Sequence, residues 1–142
     1  FTVLGITLAF AKTGDDCFNE IGFRDPAGQM ITILEARTWF PTDRPATQTS
    51  ACGYFREFSL PCTDFDRTAA FWEQLGPVAH EIEELPWLHR PITADGLSLA
   101  LHRPRLFDAP MLVFTAAELA PRLAALESAG IARSAELPTG LD

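Results

Sequence analysis

Few side chains in this sequence have chemistry to offer, and they are spread thinly along it. Glu57 and Ser59 stand two residues apart in Arg56–Cys62, where Phe58, Leu60 and Cys62 alternate with Glu57, Ser59 and Pro61. A period of two puts each set on its own face of a strand. Glu57 is a competent oxygen donor, and equally a solvated strand residue or a partner for Arg56 or Arg103. In Leu97–His102 the same period groups Ser98, Ala100 and His102, of which only His102 has a ligating side chain. His89 sits beside Trp87 between Pro86 and Pro91, where a pocket wall and a surface position are both open readings. His80, among Glu81, Glu83 and Glu84, reads as a surface histidine. No G-x-S-x-G, phosphate loop or dinucleotide fingerprint is present, and no cysteine has a convincing histidine partner. Cys17, Cys52 and Cys62 make an odd set without metal spacing, which suits reduced thiols in a cytoplasmic protein.

The element that positions Glu57 and Ser59 runs from Tyr54 to Leu75. Its strand leads into Thr63, Asp64 and Asp66, whose short oxygen-bearing side chains can cap a helix. Phe65, Ala69, Trp72 and Leu75 then recur at intervals of three and four as one apolar stripe, and Gly76-Pro77 stops it. The apolar face of the strand therefore packs on its own helix, with Phe71 and Trp72 in the core. Upstream, Leu4–Ala11, Glu20–Arg24 and Gln29–Glu35 read as strands, the last two joined by a turn at Asp25-Pro26-Ala27-Gly28. Thr38–Cys52 has no period and reads as a linker. Downstream, Val78–Glu84, Leu97–His102 and Met111–Thr115 are strand candidates, with the proline-bounded Pro86–Pro91 segment between the first two. A helix is expected from about Ala117 to Gly130, and a last strand over Ile131–Leu137. Gly5–Asp15 and Gly130–Asp142 share a Gly-Ile strand leading into a polar glycine loop, a suggestive repeat.

The totals narrow the class. The 142 residues are enough for a real core, as one domain or two small modules. With 11 basic and 19 acidic residues the net charge is −8, which argues against nucleic acid and anionic membrane surfaces as partners. No signal segment is visible, and no apolar run reaches the ~18 residues of a membrane span.

Glu57–Trp72, EFSLPCTDFDRTAAFW, resembles the opening strand and helix of the vicinal oxygen chelate superfamily, which includes glyoxalase I, bleomycin-resistance proteins and extradiol dioxygenases. Asp64-Phe65, Arg67-Thr68 and Phe71-Trp72 fill the places of its D-[LF]-x-R-[ST]-x-x-F-[YW] pattern. Gly22–Glu35 is similar to the closing DPxGNxIEL strand of that family, and Met111–Ile131 to the opening of its second module. The resemblance implies an α+β fold of βαβββ modules, forming a curved, cup-like mixed sheet with helices on the outer face. Because the DPxG strand comes first here, residues 1–37 are expected to be the closing strands of a module, either the tail of an upstream domain or a permuted strand. Residues 38–53 would then be a linker, and residues 54–142 a glyoxalase/bleomycin-resistance-like domain lacking its final strand.

Family enzymes hold a divalent metal between the two modules. The ligand places implied by the resemblance fall on Glu57, on Ala100 with His102 beside it, on Pro110, and on Thr32 in the closing strand present. That set implies a degraded metal site, no catalytic residue and no cofactor. The implied function is a small-molecule-binding protein with a pocket of Glu57, Ser59, Trp87, His89, His102 and Phe114, lined further by Ser98, Ala100 and Leu112. A hydrophobic or aromatic small molecule would be its ligand, and a homodimer its assembly. The alternative is a metal-dependent lyase or dioxygenase whose remaining ligands lie outside this segment, with a divalent metal as cofactor; a structural pseudo-domain serving dimerisation is a third reading. Gln29–Glu35 is apolar on both faces, so it is expected to be covered on both sides. The preferred reading is that it fills the sheet edge that residues 54–142 leave open, in its own chain or a neighbouring one; the alternative is that it pairs inside a separate N-terminal β unit.

Overall fold

The computed structural model describes residues 2–15, 19–35 and 50–134. They form an α+β arrangement of two sheets and two helices, with neither sheet closed into a barrel. The smaller sheet is an antiparallel meander of β1 (Leu8–Lys12), β2 (Glu20–Arg24) and β3 (Met30–Leu34). The larger has five strands, β4 (Tyr54–Pro61), β5 (Val78–Ala79), β6 (His89–Ala94), β7 (Leu97–His102) and β8 (Met111–Thr115), in the order β5-β6-β7-β4-β8. In it β4 runs parallel to β7 and antiparallel to β8. The helices are α1 (Phe65–Gln74) and α2 (Ala120–Ser128).

The join between β4 and α1 follows from its side chains. Asp64 has an extended backbone, and its Oδ1 accepts the Arg67 N–H at 3.0 Å, serving one of the first free donors of the helix. At the other end Gly76 takes a φ of +111°, and its N–H bonds back to the Glu73 carbonyl. Leu60 and Cys62 of β4, Ile92 of β6, Leu99 and Leu101 of β7, and Phe65 and Trp72 of α1 make one buried cluster. Each fully buried apolar side chain of this size is worth about 1.5–3 kcal/mol against exposure. That packing sets one face of the large sheet against α1 and turns the other, which carries Glu57, away from it.

Proline misdirects the sequence reading between the helix and β7. Pro91 lies within β6 opposite Ala100, although a proline in such a run argues against a strand. Its carbonyl still accepts the His80 N–H at 2.9 Å, and the Ile92 side chain on the helix face is completely buried. Burial of Ile92 outweighs one lost donor. The expected Val78–Glu84 strand shortens to Val78–Ala79, and Glu83 rejoins the sheet margin by a two-way backbone bridge with His89. The first strand starts at Leu8 because Thr2–Leu4 is a single 3-10 turn. Residues 131–134 are not strand; the rest of the expected Ile131–Leu137 strand and most of the linker lie outside the described residues.

Gln29–Glu35 follows the alternative rather than the preferred reading. Its strand β3 pairs with β2 alone, inside the small N-terminal sheet, and fills no edge of the large one. Nor is it covered on both sides, since Met30, Ile33 and Leu34 are 44, 45 and 61% exposed. The small sheet meets the rest of the chain by side chains instead. Phe23 of β2 stacks obliquely on Phe71 of α1 with ring centroids 6.1 Å apart, and Ala27 and Ile31 pack against the main cluster. No helix of the described residues is long and apolar enough to cross a membrane.

Candidate functional site

On the face of the large sheet turned away from α1, register brings polar residues from three strands together. In β4–β7 Ser59 lies beside Ala100 and Pro61 beside His102; in β6–β7 His89 lies directly opposite His102. Glu57, Ser59, His89 and His102 are all buried, at 3, 0, 1 and 0% exposure. Polar groups this deep are costly unless paired, so their partners define what the site can do.

His102 is fully engaged. Its Nε2 lies 2.8 Å from the Phe107 carbonyl, which can only accept, so Nε2 carries the proton. Its Nδ1 therefore accepts the Ser59 hydroxyl, at 2.8 Å. Burial pushes the imidazole below its ordinary pKa, although the bond to Phe107 opposes the shift. Serine, histidine and carbonyl form a relay of the kind that activates a nucleophile, but Ser59 and His102 are both completely buried. The relay is a structural tie between β4, β7 and the loop after β7.

His89 is engaged on one side only. Its Nδ1 donates to the Trp87 carbonyl at 2.8 Å, while its buried Nε2 has no hydrogen-bond partner. The Trp87 Nε1–H is buried and unpartnered as well, and the two rings lie 6.0 Å apart. The nearest charge to Nε2 is Glu83 Oε2, at 3.5 Å, placed there by the Glu83–His89 bridge. Arg56 stands 3.7 Å from both Glu57 and Glu83 and ties the two carboxylates together. Burial pushes the Glu57 carboxyl above its ordinary range; Arg56 and His89 draw it back, and Glu83 adds to the rise. The arrangement offers two buried polar atoms without hydrogen-bond partners and a carboxyl reluctant to ionise.

Of the residues singled out in the sequence, Glu57, Ser59, His89 and His102 share this face, and Trp87 reaches it from the loop before β6. Phe114 does not. The register pairs Glu57 with Val113 and Ser59 with Met111, so alternation sends Leu112 and Phe114 to the opposite face, where Phe114 meets Phe55 edge-on. A bulge at Arg56 produces this phase by letting Phe55 and Glu57 point to different faces. Met111 and Val113 take the places expected of Leu112 and Phe114. Glu57 is not the solvated residue its composition allows, and Arg103 serves elsewhere, over the Phe65 ring and on the Thr63 carbonyl. His80 is exposed and pairs with Thr93 at 2.7 Å. Glu83 and Arg56 are the members that strand alternation could not supply, because one lies outside a regular strand and the other is the bulged residue.

The ligand places that the resemblance implies do not all fall together in the fold. Ala100 and Pro110 offer no side-chain donor, both ring nitrogens of His102 are already bonded, and Thr32 lies on the small sheet. Among the described residues no three His, Cys, Asp or Glu side chains are grouped so that they could hold a metal ion. Compared with protein-family models, curated proteins and solved structures, the chain matches none.

Proposed function

We propose that this chain is a small-molecule-binding protein of the glyoxalase/bleomycin-resistance type whose metal site is degraded, and that it binds a hydroxylated aromatic molecule on the Glu57 face. The observation that carries the reading is the pair of buried, unpartnered atoms Trp87 Nε1 and His89 Nε2 beside a buried Glu57. A ligand hydroxyl can pair with both, relieving two groups that each cost about 1–3 kcal/mol when left without a partner. The order of elements over Tyr54–His102 supports the type: a strand, a helix and three strands, with the first and last strands side by side and parallel. The small and apolar neighbours Ala100, Met111 and Val113 suit an aromatic body.

A metal-dependent lyase or dioxygenase of the same type fits these residues less well, because His102 has no free nitrogen and Ala100 no donor. Titration with p-cresol, read by quenching of tryptophan fluorescence, tests the binding reading. Saturable binding that exceeds toluene binding and weakens at least tenfold in Trp87→Phe and His89→Phe supports it; equal affinity for p-cresol and toluene refutes it. A tenfold loss corresponds to about 1.4 kcal/mol, the scale of one neutral hydrogen bond.

A further inference from the structure

We propose that the groove between the small sheet and α1 is a second ligand site, independent of the Glu57 face, which takes a small amphiphile carrying a carboxylate beside a hydrogen-bond donor. The groove is open and has a volume of about 450 Å³; it is lined by the segment Leu4–Ala9, by Arg24, Asp25 and Pro26, and by Arg67 and Phe71 of α1. That volume falls in the ~300–1,000 Å³ range of small-molecule pockets.

Three features select the ligand. Asp25 is only 4% exposed; its Oδ1 accepts the Gln29 N–H at 2.8 Å, while its buried Oδ2 has no donor. A carboxylate oxygen in that state calls for a hydroxyl or amine hydrogen. Arg67 uses its backbone N–H to meet Asp64, and its guanidinium makes no hydrogen bond or ion pair among the described residues. Arg24, which also lines the groove, has one donor on the Gly28 carbonyl, whereas the whole Arg67 guanidinium is open to a carboxylate among the described residues. Leu4, Ile6, Leu8 and Phe71 supply the apolar surface for the remaining body. Asp25 and Arg67 line the same groove without forming an ion pair with each other. A 2-hydroxy or 2-amino acid with an apolar side chain satisfies both at once: its hydroxyl or amine donates to Asp25 Oδ2, and its carboxylate meets Arg67.

Three probes separate the contacts: 3-phenyllactate, 3-phenylpropanoate, which lacks the hydroxyl, and 2-phenylethanol, which lacks the carboxylate. Calorimetric titration of the intact chain is expected to show 3-phenyllactate binding at least tenfold tighter than either truncated probe. Asp25→Asn is expected to erase the preference over 3-phenylpropanoate, and Arg67→Gln the preference over 2-phenylethanol. Arg67 is exposed, so its variant keeps the fold and decides the matter if Asp25→Asn does not. The preferences for 3-phenyllactate are expected to persist in the presence of saturating p-cresol, which occupies the Glu57 face, separating this site from it. Equal affinity for the three probes, no binding of 3-phenyllactate, or discrimination unaltered in Arg67→Gln overturns the proposal.

Discussion

His89 and His102 stand directly opposite each other on antiparallel strands, yet each donates to a backbone carbonyl through a different ring nitrogen. His89 donates through Nδ1 to the Trp87 carbonyl, and His102 through Nε2 to the Phe107 carbonyl. The consequence is a division of labour. His102 receives the Ser59 hydroxyl on its other nitrogen and has nothing left to give, whereas His89 keeps a buried Nε2 toward Glu83 and Glu57. Of two histidines with equal burial, one has both ring nitrogens hydrogen-bonded and the other only one.

The fastening can be measured. Ser59→Ala leaves the buried Nδ1 of His102 without a donor and is expected to lower stability by about 1–3 kcal/mol. The double variant Ser59→Ala/His102→Leu should be milder than the sum of the single ones, with a coupling of about 0.5–3 kcal/mol in urea denaturation. Strict additivity would mean that the two side chains do not interact.

Glu57 and His102 respond to pH in opposite directions. The Glu57 pKa is raised in the fold from 4.5, so its contribution is fully present below that value and is lost as pH rises through the folded pKa. The His102 pKa is lowered in the fold from 6.5, so its contribution is present above that value and is lost as pH falls, when the unfolded chain takes a proton that the buried ring refuses. Glu57→Gln should therefore gain on the wild type toward alkaline pH and converge with it in acid. His102→Leu should flatten the decline of stability below pH 6.5. Denaturant midpoints across a pH series check both.

How much of this was legible in the sequence depends on whether a feature is local. The β4–α1 unit was readable because a period of two, an aspartate cap and a period near 3.6 follow one another within about 20 residues. The grouping of Glu57 and Ser59 with Ser98, Ala100 and His102 followed from alternation once two strands were recognised. Three features were not local. The bulge at Arg56 shifts phase without a sequence mark, so Phe114 fell on the wrong face. Pro91 hid β6, because the burial of Ile92 that outweighs it depends on strands and a helix elsewhere in the chain. The proximity of Glu83 to His89 comes from a backbone bridge across a loop, which no periodicity announces. Arg67 and Asp25 were both visible as motif residues, yet only the packing of Phe23 on Phe71 shows that they share a groove.

The two glycines flanking β4–α1 should separate strain from collision. Gly53 and Gly76 have φ of +109° and +111°, so alanine at either position is strained. A Cβ at Gly76 meets nothing within 4 Å, and Gly76→Ala is expected to cost about 1–3 kcal/mol. A Cβ at Gly53 would come within 2.4 Å of the Thr115 carbonyl oxygen, where β8 pairs with β4. Neither backbone can move without breaking that pairing, so Gly53→Ala should exceed about 4 kcal/mol, among the larger effects of single substitutions. Similar thermal midpoints for the two variants would contradict this placement of β8.

No strand pairing joins the small sheet to the large one among the described residues. Its attachment rests on side chains, chiefly the almost completely buried Phe23 against Phe71. Phe71 in turn meets Trp72 edge-on at 6.2 Å, and Trp72 lies in the main cluster. If that chain of contacts couples the two sheets, they unfold together. Phe23→Ala is then expected to cost about 3–5 kcal/mol, because it removes a buried aromatic ring and leaves a cavity beside the helix. Circular dichroism and tryptophan fluorescence should show one transition, displaced equally by Phe23→Ala and by Ile92→Ala. An early transition seen by circular dichroism alone, with the fluorescence midpoint unmoved in Phe23→Ala, would show that the small sheet comes off by itself. In that event the groove walled by Leu4–Ala9 and α1 would open with it, and 3-phenyllactate binding would be lost before the main core unfolds.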